Sequence, residues 1–322
     1  MFYLVLFKQT IFVSDQVYRQ EQKTWKAASA ECGENGLEFD EMVLKDIDEL
    51  LDKEFWIGLA IYVITTPWIE IMGCFAVSEE HKVMKSPSIV ICQKQCESYQ
   101  FFGYSESTTR CTCLHTKGSS YSLQNCIEQN NSSYFIVYKL FSGTVSENDN
   151  GKCTTLYCMH GRNGLTSANC NEENEQRASI CNKGTIVGWD KPYLTSKQMC
   201  LDRNQLLLQP ETYCRSEAHE NQAIYSWTNV FQAETEAKLT QAEASTNEPL
   251  YCLAGSFTEK NDKRDLNITR RFCNDQLQFV CRTGTASSKT PRQSSVAVQV
   301  PDRVVSTTNP EGIVFLFCLV YS

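Results

Sequence analysis

The chain has 322 residues, enough for about two domains, and its 38 acidic and 30 basic side chains give a net charge of −8. That balance disfavours nucleic acid as a partner, because phosphate binding requires an excess of Lys and Arg. With 42% hydrophobic and 21% charged residues, the chain can form hydrophobic cores and is not disordered as a whole. The 17 cysteines are the most informative feature, since cytosolic proteins seldom contain so many without metal or redox chemistry.

Disulfide bonds and zinc are the two explanations for so many cysteines. Cys92-x3-Cys96 and Cys111-x-Cys113 could together supply four thiolates to one zinc ion. No second set of such pairs occurs and only 4 histidines are present. An even number of cysteines remains once Cys318 of the apolar tail is set aside. The sequence therefore predicts disulfides rather than zinc.

N-glycosylation motifs indicate the same compartment as the cysteines. Acceptor motifs begin at Asn130, Asn131 and Asn267. Each motif is weak alone, but together with the cysteines they predict an extracellular or cell-surface protein that carries N-glycans.

The two ends of the chain are less regular than its middle. Residues 1–7 are apolar, but Lys8 interrupts the run and no basic segment precedes it, so they make a poor secretory signal. Residues 286–311 are rich in Ser, Thr, Val and Pro and predict an extended stalk. Residues 312–322 form an apolar run shorter than the about 20 residues that span a bilayer. We expect this run to be the start of a truncated membrane anchor, with an ordinary hydrophobic terminus as the alternative.

An internal repeat organises much of the chain. Leu156-Tyr157-Cys158, followed by Cys170 and Cys181, is echoed by Leu250-Tyr251-Cys252, followed by Cys273 and Cys281. The flanking residues and a Gly-Thr exit also recur, whereas the spacings differ as loop lengths would. Such a repeat predicts that one fold unit occurs twice.

A helix and a Trp-bearing strand precede each copy of the repeat. Trp25, Ala28 and Cys32 lie at i, i+3 and i+7, which predicts one face of a helix. Residues 39–51 predict a second amphipathic helix, and residues 55–59, with the sequence Phe-Trp-Ile-Gly-Leu, predict a strand. The second copy is fainter, with residues 195–200 as the helix and residues 223–231, around Trp227, as the strand.

These residues resemble the C-type lectin-like domain. The resemblance implies an α+β, disulfide-rich fold with two helices packed on small antiparallel sheets. It divides the chain into a first unit, split between residues 1–71 and 141–185, and a second, degenerate unit at residues 186–285. The usual pairing of the family implies the disulfides Cys32–Cys181, Cys158–Cys170, Cys200–Cys281 and Cys252–Cys273.

The segment that interrupts the first unit, residues 72–140, resembles the WSC domain. The resemblance rests on Gly73-Cys74-Phe75, the two close cysteine pairs, an aromatic-Gly strand and a final strand ending at Tyr138. Cys92 and Cys96 share one side of a helix, and Cys111 and Cys113 share one face of a strand and cannot comfortably bridge each other. Each pair must therefore reach other cysteines, which leaves the connectivity open among Cys74, Cys92, Cys96, Cys111, Cys113 and Cys126.

Two cysteines, Cys153 and Cys214, are left over by these pairings. They could bond to each other between the units, or one of them could bridge to another chain. The sequence does not choose between these alternatives.

Calcium-dependent sugar binding, which the lectin resemblance would imply, is not expected. Calcium needs hard oxygen ligands, but residues 164–169 before Cys170 contain no carboxylate. Residues 267–272 before Cys273 are basic instead of acidic. Asn247-Glu248-Pro249 has the wrong order for the family's other calcium triplet and is better explained as a turn. We therefore expect no cofactor and no metal.

The WSC resemblance implies carbohydrate binding without a defined set of ligand residues. Exposed aromatic rings of the module could stack on sugars. The candidates are Phe101, Phe102, Tyr104 and Tyr121. Strand alternation predicts that Phe102 and Tyr104 are partly in the core.

An enzyme is not expected. His219-Glu220 begins a zinc-protease motif, but the required second His is absent, because position 223 is Ala. No nucleophile motif occurs, and the cysteines are predicted to be oxidised.

The first functional hypothesis is calcium-independent glycan recognition by the WSC-like module on an extracellular or surface-anchored protein. The alternative is a protein-binding adhesion or receptor ectodomain with no sugar ligand. A secreted enzyme is the weakest hypothesis.

Overall fold

The computed structural model describes residues 17–77, 82–127, 133–147, 151–159, 162–173, 177–210, 224–244, 248–260 and 263–282. The chain divides into two compact units, residues 1–283 and 284–322, and all described residues belong to the first. The predicted stalk and membrane anchor therefore lie outside the described residues. Among the described residues, no helix combines the length and the apolar character needed to cross a membrane.

Strands dominate the structure, as a disulfide-rich α+β fold predicts, although the helices are short. In chain order the elements are β1 (Val17–Lys23), α1 (Trp25–Glu31), α2 (Glu41–Lys45), β2 (Glu54–Thr65), β3 (Ile69–Ala76), β4 (Val83–Lys85), α3 (Ile89–Gln95), β5 (Phe101–Ser105), β6 (Arg110–Leu114), β7 (Ser120–Tyr121), α4 (Leu123–Ile127), β8 (Tyr134–Leu140), β9 (Val145–Ser146), β10 (Cys153–Met159), β11 (Arg162–Ala168), β12 (Arg177–Ile180), β13 (Ile186–Trp189), α5 (Tyr193–Leu201), β14 (Ile224–Phe231), β15 (Glu234–Leu239), α6 (Gln241–Ala244), β16 (Tyr251–Lys260), β17 (Lys263–Arg271) and β18 (Leu277–Cys281).

Residues 17–65 and 234–282 together form one unit, named unit A here. Its strands are ordered β1-β18-β2-β16-β17, and β15 also pairs with β2. The long strand β2 is buried on both faces, with Trp56 packed against α1 on one face and Phe55 packed beside α2 on the other. The Thr24 side chain caps α1 by accepting from the Ala27 N–H, and Asp40 caps α2 in the same way. The predicted second helix is shorter than expected, because α2 ends at Lys45 and Asp48–Leu50 form a 3-10 turn.

Residues 69–140 form the cysteine-rich module. Its strands are ordered β4-β6-β5-β8-β3, and the helix α3 packs on β5 and β6. Ser88 caps α3 by accepting a hydrogen bond from the Ile91 N–H. The disulfides Cys92–Cys111 and Cys96–Cys113 connect α3 to β6, and Cys74–Cys126 closes the module. The prediction that each close pair reaches across from helix to strand is therefore confirmed.

Residues 145–231 form a second unit, named unit B, which is joined to the module in one continuous sheet. The join is the pairing of β14 with β3, where Val230 lies opposite Glu70 and Phe231 opposite Ile69. Within unit B the strands are ordered β13-β12-β14-β10-β11. This is the order of unit A, and the parallel and antiparallel pairings also match strand for strand.

Units A and B differ in the order in which the chain supplies their strands. In unit A, β1, α1 and β2 come first and the three strands that follow Leu250 come last. In unit B, β10, β11 and β12 come first, and β13, α5 and β14 follow them. The strand pairing therefore differs from the predicted division of the chain, because residues 17–65 pair with residues 234–282 instead of with residues 141–185.

The disulfides follow this exchange of strands. Cys252–Cys273 forms as predicted. The predicted Cys32–Cys181 and Cys200–Cys281 are replaced by Cys32–Cys281 and Cys181–Cys200, because each late cysteine packs with the helix of the other sequence copy. The predicted Cys158–Cys170 is replaced by Cys153–Cys170. Cys153 is thus not left over, whereas the side chain of Cys158 and all of Cys214 lie outside the described part of the chain.

Candidate functional site

Two of the four predicted sugar-stacking aromatics lie in the core of the module. Phe102 is 3% exposed and stacks on Tyr138 with ring centroids 5.3 Å apart, and Tyr104 is 7% exposed. Burial raises the pKa of Tyr104 to about 12. Both rings are therefore in the core, as strand alternation predicted. Because a ring needs an open face to stack on a sugar, they are not placed to contact a glycan, which corrects their prediction as sugar-stacking candidates.

The burial follows from the position of β5 in the middle of the module's sheet. Its two faces are covered by two different clusters, so period-2 alternation exposes neither set of side chains. Phe102 and Tyr104 face the disulfide-bonded helix α3. Phe101 faces the other way and packs, partly buried, against the cluster of Phe75, Leu114 and Phe135. Phe101 therefore offers at most an edge to solvent.

Tyr121 is the predicted candidate that the structure places at the surface. It is 43% exposed and lies on the short strand β7, opposite Cys74 of β3. Its ring contacts the ring of Tyr134 at a centroid distance of 5.1 Å and an interplanar angle of 63°. Tyr134 is the first residue of β8 and is partly buried, and its ring packs against the ring of Tyr121. These two residues are named the tyrosine pair.

Sequence reasoning missed Tyr134, and it also missed a second surface ring pair in the module. Tyr99 and His115 lie 4.5 Å apart between ring centroids, just outside the ends of β5 and β6. Both contacts join residues that are more than ten positions apart and lie in different elements or loops. The sequence therefore offered only one sign of the first pair, which is a Tyr at the start of the predicted last strand of the module.

A cleft of about 360 Å³ opens between the module and unit A. The end of β2, the helix α6 and one side of α3 line it. Val90 and Ala244 contribute to an apolar floor, and Gln93, Lys94 and Glu97 contribute polar groups. Gln93 is largely buried, at 7% exposure for the residue.

Unit A carries an exposed aromatic and cationic surface on β16 and β17. Phe272 is 71% exposed, and its ring lies 6.4 Å from that of Tyr251. The guanidinium of Arg270 lies over the Tyr251 ring at 5.6 Å and forms a 3.0 Å ion pair with Glu236. Tyr251, Arg270 and Phe272 are named the unit A patch.

Metal-ligand spacing occurs at one place in the described part of the chain. The sulfur atoms of Cys92, Cys96 and Cys111 lie within 4.8 Å of one another. Each of these atoms is bonded to another sulfur in a disulfide, so none is a thiolate that could bind zinc. Within residues 267–272, which contain no carboxylate, Arg270 and Arg271 form ion pairs with Glu236 and Glu54.

Of the three predicted glycosylation sites, one lies in the described part of the chain. Asn267 is exposed in the middle of β17. Asn130 and Asn131 lie outside the described residues.

Comparisons with known proteins give no further assignment. No family model matches the chain, and no curated protein or solved structure is significantly similar to it. The fold, the tyrosine pair, the cleft and the unit A patch are therefore the basis for function.

Proposed function

We propose that the protein is an extracellular or cell-surface glycan-binding protein that recognises sugars without calcium through the cysteine-rich module. The observation that carries the proposal is the tyrosine pair, in which an exposed Tyr121 ring is supported by a second ring. The extracellular location is supported by the density of disulfides, because such bonds persist in oxidising compartments.

The geometry of the tyrosine pair suits a sugar ring. A pyranose has an apolar face of C–H groups that packs on an aromatic ring, and its hydroxyls bond to nearby polar groups. The T-shaped contact with Tyr134 and the adjacent disulfide Cys74–Cys126 hold Tyr121 in place, which lowers the entropy lost on binding. The tyrosine pair would therefore bind the apolar face of a single sugar within a glycan.

A glycan array with secreted protein tests this proposal directly. We expect binding that is unchanged by EDTA and that falls at least tenfold in Tyr121→Ala. Tyr225→Ala is the matched control, since Tyr225 is 41% exposed and also packs on another tyrosine, Tyr157, at 4.8 Å. The proposal fails if no polysaccharide binds, or if Tyr121→Ala and Tyr225→Ala bind alike.

The cleft beside α3 is the second place where the module could hold a sugar. A variant Gln93→Ala removes a polar side chain that lines the cleft and leaves the tyrosine pair unchanged. If the cleft is the sugar site, this variant loses binding and Tyr121→Ala does not. The two variants therefore locate the site within the module.

The unit A patch supports a second function, which is protein binding. The patch combines the exposed Phe272, the partly buried Tyr251 and an Arg over the Tyr251 ring, and Phe, Tyr and Arg are enriched in protein interfaces. This function predicts a partner captured on cells whose binding is insensitive to competing sugars. Phe272→Ala would abolish that capture, and Leu194→Ala, which removes a 58% exposed side chain from α5, would not.

A further inference from the structure

The strand β17 is a long free edge of the unit A sheet. Its nine residues pair with β16, and no other described strand pairs with it. On a free edge, alternate backbone N–H and C=O groups point outward without partners and can pair with another chain. Residues 267–271 are all exposed, so the described part of the chain leaves this edge open to solvent.

The side chains of β17 give little protection against such pairing. Ile268 is 45% exposed, and Phe272, just beyond the strand, is 71% exposed. Cations on an edge strand normally repel a second strand. Here, however, the guanidinium groups are engaged within the chain, by the ion pairs Arg264–Asp48, Arg270–Glu236 and Arg271–Glu54. An open edge that carries exposed Ile268 and Phe272, and whose arginines are paired within the chain, has less charge to repel a second strand.

Asn267 lies at the centre of this edge and begins the acceptor motif Asn267-Ile268-Thr269. It lies opposite Ser256 of β16, and its Nδ2 donates to the Thr258 Oγ1 at 3.2 Å. The side chain is exposed, so the amide nitrogen that would carry a glycan is at the surface. No position on β17 is farther from both strand ends.

We propose that an N-glycan on Asn267 covers the free edge of β17 and prevents two copies of the chain from pairing through this strand. In the secretory pathway the Asn267 Nδ2 would form a bond to the anomeric carbon of a lipid-diphosphate-linked oligosaccharide, with loss of one amide proton and release of the lipid diphosphate. The Asn267 side chain lies over the β16 side of the strand, and a glycan is large and hydrated enough to extend from it across β17 and obstruct a second strand. The proposal depends on secretion but not on glycan recognition by the module.

Three variants secreted from eukaryotic cells test the proposal. Asn267→Gln and Thr269→Ala remove the acceptor motif in two different ways, and Thr269→Ser keeps it and serves as the matched control. Intact mass gives the occupancy of Asn267, and light scattering after size-exclusion chromatography gives the molar mass at increasing concentration. We expect the wild type and Thr269→Ser to stay monomeric, and the other two to approach twice the monomer mass. An unoccupied Asn267 in the wild type, or monomers of both unglycosylated variants, would overturn the proposal.

Hydrogen exchange shows whether any association uses β17. We expect amides of residues 263–271 to exchange more slowly in the associated Asn267→Gln protein than in the wild type. A further substitution, Ile268→Lys, places an unpaired charge on the edge and should restore the monomer. Association without protection of β17, or association that survives Ile268→Lys, would place the contact elsewhere and contradict the proposal. If a variant is not secreted, trimming the wild-type glycan to one sugar with an endoglycosidase provides the same comparison.

Discussion

Trp56 of unit A and Trp227 of unit B occupy equivalent positions. Each indole N–H donates to the backbone carbonyl of a lysine just before a helix, Trp56 to Lys23 at 2.7 Å and Trp227 to Lys191 at 2.8 Å. Both rings are fully buried. The two units therefore share a core as well as a spatial order of strands. The order in which the chain supplies those strands differs between the units.

The equivalence predicts that Trp56→Phe and Trp227→Phe have similar costs. Each change removes buried volume and leaves a lysine carbonyl without its donor, which should destabilise the fold by roughly 2–3 kcal/mol. Thermal unfolding should show a fall of several degrees for both variants. Trp189→Phe is the control, because Trp189 is 49% exposed and should cost little. A large difference between the two buried variants would contradict the equivalence of the units.

The sequence predicted the local structure well, because local structure depends on neighbours in the chain. The helix from Trp25, the helix ending near Cys200 and the strands around Trp56 and Trp227 all form. The long-range pairing of these elements could not be predicted. The two copies of the repeat are similar, so either copy could pair with either of the two helix-and-strand segments. The repeat also misled the alignment, because Leu156-Tyr157-Cys158 matches in letters while Cys153 is the residue in the structural position of Cys252.

The exposure of the module's aromatic rings was only partly predictable from sequence, because strand alternation placed Phe102 and Tyr104 partly in the core but did not indicate which remaining ring would be open. Phe102 and Tyr121 have the same aromatic character, and what separates them is whether another element covers them. The disulfide-bonded α3 covers Phe102, whereas Tyr121 lies on a two-residue strand at the side of β3. Such coverage depends on tertiary packing that no local pattern encodes.

Disulfide mapping by mass spectrometry of non-reduced peptides distinguishes the two ways of completing the units. We expect peptides linked through Cys32–Cys281, Cys181–Cys200 and Cys153–Cys170. A sequential arrangement of the units would instead give Cys32–Cys181 and Cys200–Cys281. The Cys252–Cys273 peptide is common to both arrangements and serves as the internal control.

Gly58 and Asn229 are also equivalent, and they show how the two units differ. The backbone N–H of Gly58 donates to the carbonyl of Glu38 at 2.8 Å, and that of Asn229 donates to the carbonyl of Leu208 at 3.0 Å. A Cβ on Gly58 would lie 2.2 Å from the carbonyl oxygen of Leu37. Gly58→Ala should therefore destabilise the protein by roughly 2–4 kcal/mol, measured by chemical denaturation. Gly164→Ala is the control, since its added Cβ would meet no atom within 4 Å.

Asn229 uses the side chain that Gly58 lacks to attach unit B to the module. Its amide donates to the carbonyl of Ile71 on β3 at 2.7 Å, and the residue is fully buried. Asn229→Ala should cost about 1–3 kcal/mol through the lost hydrogen bond. Asn229→Asp should cost more, because it replaces a donor with a buried acceptor that faces a carbonyl. A milder effect of Asp than of Ala would contradict the role assigned to this hydrogen bond.

Buried tyrosines predict that the module loses stability at high pH. Burial raises the pKa of Tyr104 to about 12 and also raises the pKa of Tyr138, whereas tyrosines of an unfolded chain ionise near pH 10. The neutral phenols therefore favour the folded state fully below pH 10, and this contribution declines as the pH rises from 10 to about 12. Rapid pH-jump unfolding, with ionisation followed by absorbance at 295 nm, should show these tyrosines ionising with the loss of structure. Tyr104→Phe should weaken the pH dependence of stability above pH 10. If Tyr104→Phe unfolds with the wild-type pH dependence, its burial does not contribute to alkaline unfolding.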